Sequence, residues 1–227
     1  MSGSGIAVVS PAYRDLQEVY RGAKHVFACT PFFSRDGLEV LENSIRKAKR
    51  AEFWIALNVT HWMTGHSDFD ALEGMLRRMQ DTFDVIDVRV RGNLHSKLYY
   101  APDVGRALFG SSNLTASGFG GNIEIGAVVS GKTCEQIDDW IEGQRGRVQS
   151  IGIEDFCSCV DLSRDAVKAA SDAMQDSGPT TLDDFNAAVD LFEKELVKKL
   201  TPSRPASKTR SKKSVLELGR RRYPILS

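Results

Sequence analysis

The chain has 227 residues, of which 26% are charged and 41% are hydrophobic. This length fits one catalytic domain with an extension, and the ordinary composition excludes a fibrous or wholly disordered protein. The net charge is zero, yet residues 198–222 carry ten lysines or arginines and one acid, so this segment has net charge +9 and the rest −9. A basic tail on an acidic body indicates an anionic partner such as nucleic acid or another anionic surface.

Cysteine usage and the amino-terminal segment both favour an intracellular protein. The four cysteines lack the spacing of a zinc site, which predicts reduced thiols. Cys29 follows an apolar run and is better explained as a buried small hydrophobe than as a catalytic thiol. Residues 1–5 do not resemble a signal peptide, and no stretch approaches the roughly twenty apolar residues of a membrane span. We therefore expect a cytoplasmic protein without a membrane partner.

The first half of the chain alternates between predicted strands and helices. An apolar run at 6–9 and a mixed pattern at 12–22, typical of a helix, come first. Buried strands are then predicted at 25–31, 53–59 and 85–91. Between them lie two helices, the first capped by Ser34 and the second by Ser67, which has capping-box spacing to Asp70. Strands separated by helices of this length imply right-handed crossovers and a sheet with a parallel portion.

The second half predicts further strands of the same sheet. Short strand-like runs are joined by turn-rich loops without room for helices, at 95–101, 106–110 and 123–130. Some of these strands should be antiparallel, and Thr133 with Gln136 has the spacing of a capping box for the helix that follows. The predicted fold class is α/β, a mixed, partly parallel sheet flanked by helices. The expected divisions are a catalytic domain at 1–150, a C-terminal helical extension at 151–200 and a basic flexible tail at 201–227.

Polar residues at the edges of the later strands form a candidate site, with His95, Lys97, Asn113 and Glu124 as catalytic residues and Ser111 as a substrate-binding residue. Together they supply the imidazole, ammonium, hydroxyl, amide and carboxylate needed to handle a phosphate. If His95 begins a strand, alternation puts Lys97 on the same face, about 7 Å along. Glu124 could then hold the other ring nitrogen of a histidine and fix its tautomer.

These segments closely resemble the HKD motif of the phospholipase D superfamily: His-x-Lys, then Gly-Ser-x-Asn, then an acidic residue about eleven positions later. Here they stand as His95-Ser96-Lys97, Gly110-Ser111-Ser112-Asn113 and Glu124, and the last spacing is eleven. The resemblance covers roughly residues 26–140 and implies a phospholipase D-like fold. Many members carry an Asp five residues after the Lys, where this chain has Pro102. Asp103 follows one place later, and we do not assign it a catalytic role.

The chain contains one His-x-Lys, whereas phospholipases of this superfamily carry two. Similarity to single-motif bacterial nucleases and metal-independent restriction endonucleases implies a homodimer with two His95 residues flanking one phosphate. By this resemblance, one His95 attacks phosphorus to form a phosphohistidine and the other protonates the leaving oxygen before water resolves the intermediate. Lys97 and Asn113 would stabilise the developing charge. The mechanism implies no metal and no other cofactor.

The leading hypothesis is a metal-independent nuclease acting on DNA, or on RNA, within a bacterial or phage restriction or defence system that supplies further subunits. Two alternatives stay open: a lipid phosphodiesterase of the phospholipase D type, and a nucleic-acid-binding subunit whose partner performs catalysis. The single motif, the basic tail and the lack of a membrane-seeking segment favour the nuclease. Trp62 lies in a loop with His61 and His66, and we expect it to stack on a base or close over the substrate. A metal site at these histidines lacks neighbouring ligands.

Overall fold

The computed structural model describes residues 5–58, 61, 65–161 and 164. The strands are β1 Gly5–Val9, β2 His25–Thr30, β3 Arg50–Ile55, β4 Val85–Val90, β5 Leu98–Ala101, β6 Arg106–Gly110, β7 Gly126–Ser130 and β8 Gln149–Ile151. The helices are α1 Tyr13–Tyr20, α2 Arg35–Ser44, α3 Phe69–Gln80, α4 Thr133–Arg145 and α5, which begins at residue 153 and includes 153–161. A 3₁₀ turn at Pro102–Val104 and a π-helical turn at Ser117–Gly121 lie between strands.

The described strands form one eight-stranded sheet in the order β1-β7-β6-β5-β2-β3-β4-β8. β2, β3 and β4 run parallel, and the remaining pairings are antiparallel. The parallel portion follows from α2 and α3, which return the chain to the same edge of the sheet. The later strands are joined by short connections that permit antiparallel pairing. The predicted class, a mixed and partly parallel sheet flanked by helices, is confirmed.

The two faces of the sheet are covered unequally. Val26 and Ala28 of β2 point to the first face, where α1, α2, α3 and α5 pack over a large apolar core. Phe27 and Cys29 point to the second face. Within the described part of the chain, that face is covered by one helix, α4, through Cys134, Ile137 and Ile141.

Helix starts agree with the sequence patterns at one position and differ at two. The cap at Ser34 is confirmed, since its Oγ accepts from the Gly37 N–H at 3.3 Å. α3 is capped by Asp68, whose Oδ1 accepts from Ala71 N–H at 2.8 Å, so the predicted Ser67 cap was one residue early. The Ser67 hydroxyl instead donates to a carbonyl of the neighbouring loop. α4 starts at Thr133 without a side-chain cap, so the predicted capping box there was wrong.

Several predicted boundaries shift by a few residues. The run expected at 53–59 forms β3 from Arg50 to Ile55, and the run at 95–101 becomes a strand only from Leu98. The run at 123–130 becomes β7 from Gly126. In each case the described residues left outside the strand belong to loops at one edge of the sheet, where they do not follow the strand alternation.

Residues 151–161 continue the packed body. β8 pairs antiparallel with β4, and Phe156 of α5 is fully buried in the core of the first face. The expected helices and basic tail after residue 164 lie outside the described residues. All four cysteines are buried, and none of them forms a disulfide bond in the structure. None of the described helices has the length and apolar character required to cross a bilayer.

Candidate active site

The candidate residues meet because of the strand register. β5 runs antiparallel to β2, so the start of β5 lies beside the end of β2, with Leu98 paired to Cys29. The end of β6 pairs with the start of β7 through Gly110 and Gly126. The segments before β5, after β6 and before β7 therefore lie at the same edge of the sheet. This edge is also where the parallel strands β2 and β3 end.

His95 and Lys97 are in direct contact. The Lys97 Nζ donates to the His95 carbonyl at 2.9 Å and lies 3.1 Å from Nδ1 and 3.4 Å from Nε2 of the His95 ring. His95 is exposed, whereas Lys97 is 9% exposed. Both residues precede β5, so the Lys97 side chain reaches the imidazole by folding back and not by the strand alternation that the sequence suggested. An accessible imidazole is thus held beside a buried ammonium.

The ammonium of Lys97 lies near a carboxylate that opposes the effect of its burial. Burial lowers the pKa of Lys97, while the nearby Glu124 acts in the opposite direction. A partly desolvated cation interacts more strongly with an incoming anion than a surface lysine does, because less water screens the charge. The site therefore contains a fixed positive charge directly beside His95.

Ser111 and Glu124 form a second polar pair at this edge. The Ser111 hydroxyl donates to the Glu124 carboxylate, and it accepts from Ile125 N–H at 3.1 Å. The other carboxylate oxygen accepts from the Asn122 amide at 3.3 Å. Glu124 is thus held by Ser111 and Asn122, and the expected bond from Glu124 to an imidazole is replaced by the contact between Lys97 and His95.

Asn113 lies in a segment that is fixed through its backbone. The Tyr99 hydroxyl donates to the Ser112 carbonyl at 3.1 Å, and Leu114 N–H donates to the Phe32 carbonyl at 3.1 Å. The side-chain oxygen of Asn113 is buried and has no hydrogen-bond partner in the described structure. A buried polar atom left unpaired costs about 1–3 kcal/mol, so a ligand that satisfies it recovers that energy.

Cys29 lies beneath the site as a neutral thiol. It is fully buried, and its Sγ donates to the Ser96 carbonyl at 3.6 Å. Burial raises the pKa of Cys29 to about 12 despite the nearby Lys97. Because the reactive form of cysteine is the thiolate, this environment agrees with a packing role and argues against a nucleophile.

Two further histidines approach the same edge from the loop after β3. The Phe32 ring packs against His61 at 4.6 Å and against His66 at 5.7 Å between ring centroids. The pKa of His61 is lowered first by burial, then by the charges of His66 and His95. His61 is therefore electrostatically coupled to His95. The sequence predicted that Trp62 of this loop contacts the substrate, but it gave no signal for the packing of Phe32 against His61 and His66.

Trp62, the predicted substrate-binding residue of this loop, lies outside the described residues. Asp103 lies at the opposite edge of the sheet, where its carboxylate accepts from the backbone N–H groups of Lys24 at 2.7 Å and His25 at 3.3 Å. It therefore secures the start of β2, in agreement with its omission from the catalytic set. Among the residues that the structure describes, no group of three or more His, Cys, Asp or Glu is arranged to hold a metal ion.

The sheet order, its helices and this edge define a phospholipase D-like fold. The chain is similar to the crystal structure of a phospholipase D family member, Nuc from Salmonella typhimurium, with a TM-score of 0.51 and 16% identity over 66% of this chain and 99% of that one. It is also similar to phosphatidylserine synthase from Haemophilus influenzae, with a TM-score of 0.57 and 13% identity over 87% of this chain and 47% of that one. No protein-family model matches the chain, and no curated protein matches its sequence. At these identities the likeness establishes the fold.

Proposed function

We propose that the protein is a metal-independent phosphodiesterase, most specifically a nuclease that cleaves DNA or RNA through a phosphohistidine in a site shared across a homodimer. The observation that carries the proposal is the contact between the exposed His95 imidazole and the buried Lys97 ammonium. The Ser111–Glu124 pair lies at the same edge of a phospholipase D-like sheet. This set combines a nucleophile with fixed groups for the phosphate oxygens.

The proposed reaction has two steps. A ring nitrogen of His95 attacks phosphorus, the bond from phosphorus to the leaving oxygen breaks, and that oxygen takes a proton from His95 of the partner subunit. Water then attacks the phosphorus of the phosphohistidine and gives its proton to the second imidazole, the bond from phosphorus to the first His95 breaks, and a phosphate monoester is released. Lys97 neutralises charge on the non-bridging oxygens throughout, and the Asn113 amide contacts the same phosphate.

Substrate choice rests on charge and architecture. Residues 198–222 carry a net charge of +9, which suits a polyanion, and the chain holds one His-x-Lys as single-motif nucleases do. The fold likeness to a phosphatidylserine synthase supports a lipid phosphodiesterase as the second candidate. The two candidates share the chemistry at phosphorus and differ in the group attached to it.

A substrate panel tests the proposal. Full-length protein is incubated in excess chelator with plasmid, single-stranded DNA, RNA and vesicles of labelled phospholipid, and products are quantified. We expect nucleic acid to be cleaved with chelator present. His95→Ala should abolish turnover, whereas His25→Ala, at the opposite edge of the sheet, should retain it. A trapped, acid-labile phosphoprotein that is absent in His95→Ala identifies the intermediate.

Each other outcome has a definite meaning. Loss of activity on chelation, or turnover by His95→Ala, contradicts the proposed mechanism. Cleavage confined to phospholipid selects the lipid candidate. Binding of nucleic acid without turnover of any substrate favours a binding subunit.

A further inference from the structure

The edge of the sheet opposite the candidate active site carries a group of exposed cations. Arg50 is the first residue of β3 and pairs in register with His25, the first residue of β2. The segment between α2 and β3 therefore lies beside the start of β2. Five cations of these segments are all exposed. We call them the basic rim: Lys24, Arg46, Lys47, Lys49 and Arg50.

Carboxylates do not neutralise the basic rim. In the described part of the chain, none of its five cations forms an ion pair. Other arginines of the body do form them, since Arg78 lies 2.7 Å from Glu42 and Arg164 lies 2.7 Å from Glu73. The chain outside residues 198–222 has a net charge of −9. The rim is thus a local concentration of positive charge that is available to an external anion.

The backbone and two side chains of the basic rim are held in place. The N–H groups of Lys49 and Arg50 both donate to the Lys24 carbonyl, at 2.8 and 3.0 Å. The Lys24 ammonium donates to the Lys47 carbonyl at 3.2 Å, and the Lys49 ammonium donates to the Thr82 carbonyl at 3.3 Å. A carbonyl orients an ammonium but leaves its charge and its other N–H groups available. Cations held in this way lose little conformational freedom when they bind a ligand.

The end of α2 explains only part of the basic rim. Cations near the C-terminus of a helix are stabilised by the partial negative charge of its last carbonyls, and this effect falls off within one turn. α2 ends at Ser44, so Arg46 and Lys47 fit this explanation. Lys24 lies four residues beyond the end of α1, and Arg50 begins a strand. The helix ends therefore do not account for the whole group.

The arrangement fits a polyanion better than a single small anion. Four of the five cations lie within five consecutive residues, and each strand of a DNA duplex carries a phosphate about every 3.4 Å along the axis. Ile45 and Ala48 are buried, so the segment between α2 and β3 exposes no large apolar side chain for insertion into a membrane. The exposed acids Asp81 and Asp84 lie on either side of Thr82 and border the rim toward β4. They direct a polyanion toward β2 and α2.

We propose that the basic rim is a second contact surface for the phosphate backbone of DNA or RNA, separate from the edge at which the phosphate is cleaved. The choice of nucleic acid as the polyanion rests on the proposed function. β2 begins at the rim and ends at the candidate site, and its six residues span roughly 20 Å. The rim therefore binds phosphates that lie several nucleotides away from the scissile one.

The first test compares two variants that change the net charge equally. Both are made in the full-length His95→Ala protein, so that bound nucleic acid is not cleaved. Lys47→Gln/Lys49→Gln removes two positive charges from the rim. Lys132→Glu, the matched control, makes the same change of two charge units at an exposed lysine after β7, three strands away from β2. Fluorescence anisotropy with a long DNA duplex over a range of salt gives the affinities, and circular dichroism confirms folding.

We expect the rim variant to bind the duplex at least about tenfold more weakly at low salt, because two phosphate contacts are lost. Its slope of log affinity against log salt should be smaller by about 1–2. Lys132→Glu should keep the slope and change the affinity by less than about threefold, because salt screens distant charges. An equal loss in both variants, or no loss in either, overturns the rim.

The second test locates the contact without altering the rim. Lysines of the full-length His95→Ala protein are acetylated with and without duplex and quantified by mass spectrometry. The duplex should protect Lys24, Lys47 and Lys49 and leave Lys132 reactive. Protection by vesicles that contain phosphatidylglycerol, and not by the duplex, overturns nucleic acid as the partner. Unprotected rim lysines in the presence of bound duplex overturn the contact surface.

The failures of the two proposals are distinguishable. Duplex that binds at the rim, together with a wild-type protein that cleaves no nucleic acid, supports the rim and overturns the nuclease. Cleavage by a wild-type protein whose rim lysines stay reactive when duplex is bound supports the nuclease and overturns the rim.

Discussion

Lys97 lies in surroundings that are unusual for a lysine. Its ammonium is buried, contacts the carbonyl and ring of His95 and faces the carboxylate of Glu124. Desolvating a cation destabilises the folded state unless contacts compensate. A buried ammonium beside an exposed imidazole suits the phosphate that the proposed function assigns to both residues.

Lys97→Met keeps the length of the side chain and removes its charge. We expect turnover to fall by about 10²- to 10³-fold, because a fixed positive charge on the phosphate oxygens is lost. The thermal midpoint should stay the same or rise, since no ammonium then has to be desolvated. Lys132→Met, at an exposed position, serves as the control in the same cleavage and melting assays. Wild-type turnover in Lys97→Met would remove this lysine from the mechanism.

His61 supplies a prediction on pH. Burial and the charges of His66 and His95 place the pKa of His61 below its ordinary 6.5. The unfolded chain therefore takes up a proton at this site at a higher pH than the folded chain does. The contribution is a loss of folded stability as pH falls through 6.5, and the lowered pKa of His25 acts in the same direction.

An NMR titration of the imidazole protons checks the shift directly. His61 should titrate below 6.5, and His66→Gln should raise its pKa because a neighbouring positive charge is removed. Titration of His61 at or above 6.5 in the wild type would contradict the coupling.

The sequence could propose a candidate catalytic set because the residue types and spacings of that set are local features. It did not predict how the set is connected. Glu124 was expected to accept a hydrogen bond from an imidazole, but it accepts one from the Ser111 hydroxyl. This contact results from the register in which β6 and β7 pair, and no local sequence pattern encodes that register. The approach of His61 to His95 joins residues 34 positions apart. This approach depends on the parallel pairing of β3 with β2. The sequence indicated only that the sheet is partly parallel.

At the scale of elements, α2 is packed directly against the loop that carries Asn113. A Cβ atom built on Gly37, in the first turn of α2, would lie 2.1 Å from the Leu114 carbonyl oxygen. Ser34 N–H donates to the same carbonyl at 2.9 Å. Glycine at residue 37 therefore allows the helix and the site loop to approach this closely, and the position of Asn113 depends on it.

Gly37→Ala should force these two segments apart. We expect a destabilisation of about 1–3 kcal/mol from overpacking. Turnover should also fall, because a displacement of about 1 Å in a catalytic group can cost 10²-fold. Gly143→Ala in α4 is the matched control, since nothing lies within 4 Å of its Cβ position and alanine favours a helix by about 0.5–1 kcal/mol. Denaturant unfolding and cleavage rates measure both, and a Gly37→Ala protein as stable and active as wild type would contradict the contact.

Element predictions succeeded where one physical pattern dominated and failed where two competed. The buried strands were predicted correctly because a short, unbroken apolar run bounded by turn residues is typical of a buried strand. The cap of α3 was misplaced because Ser67 and Asp68 are both good capping residues, and the loop contact of Ser67 decided between them. β8 was missed because a three-residue strand carries too little pattern, and its pairing with β4 is fixed by tertiary packing.

For the whole molecule, the charge is divided between a basic segment, residues 198–222, and an acidic remainder. The acidic part carries −9 and would repel a polyanion by itself, while residues 198–222 carry +9. We therefore predict that the basic segment supplies most of the affinity for nucleic acid, and that catalysis takes place at the edge that contains His95 and Lys97.

Replacing the ten lysines and arginines of residues 198–222 with glutamine tests this division. Each phosphate neutralised on duplex DNA contributes about −0.9 to the slope of log affinity against log salt. The variant should bind more weakly at low salt and show a slope smaller by at least about 3, measured by fluorescence anisotropy. A segment with the same residues in shuffled order should keep the wild-type slope, because counterion release depends on the number of charges. An unchanged slope in the glutamine variant would mean that the body itself binds the phosphates despite its net charge of −9, and would move the search for cations to the basic rim and the edge around Lys97.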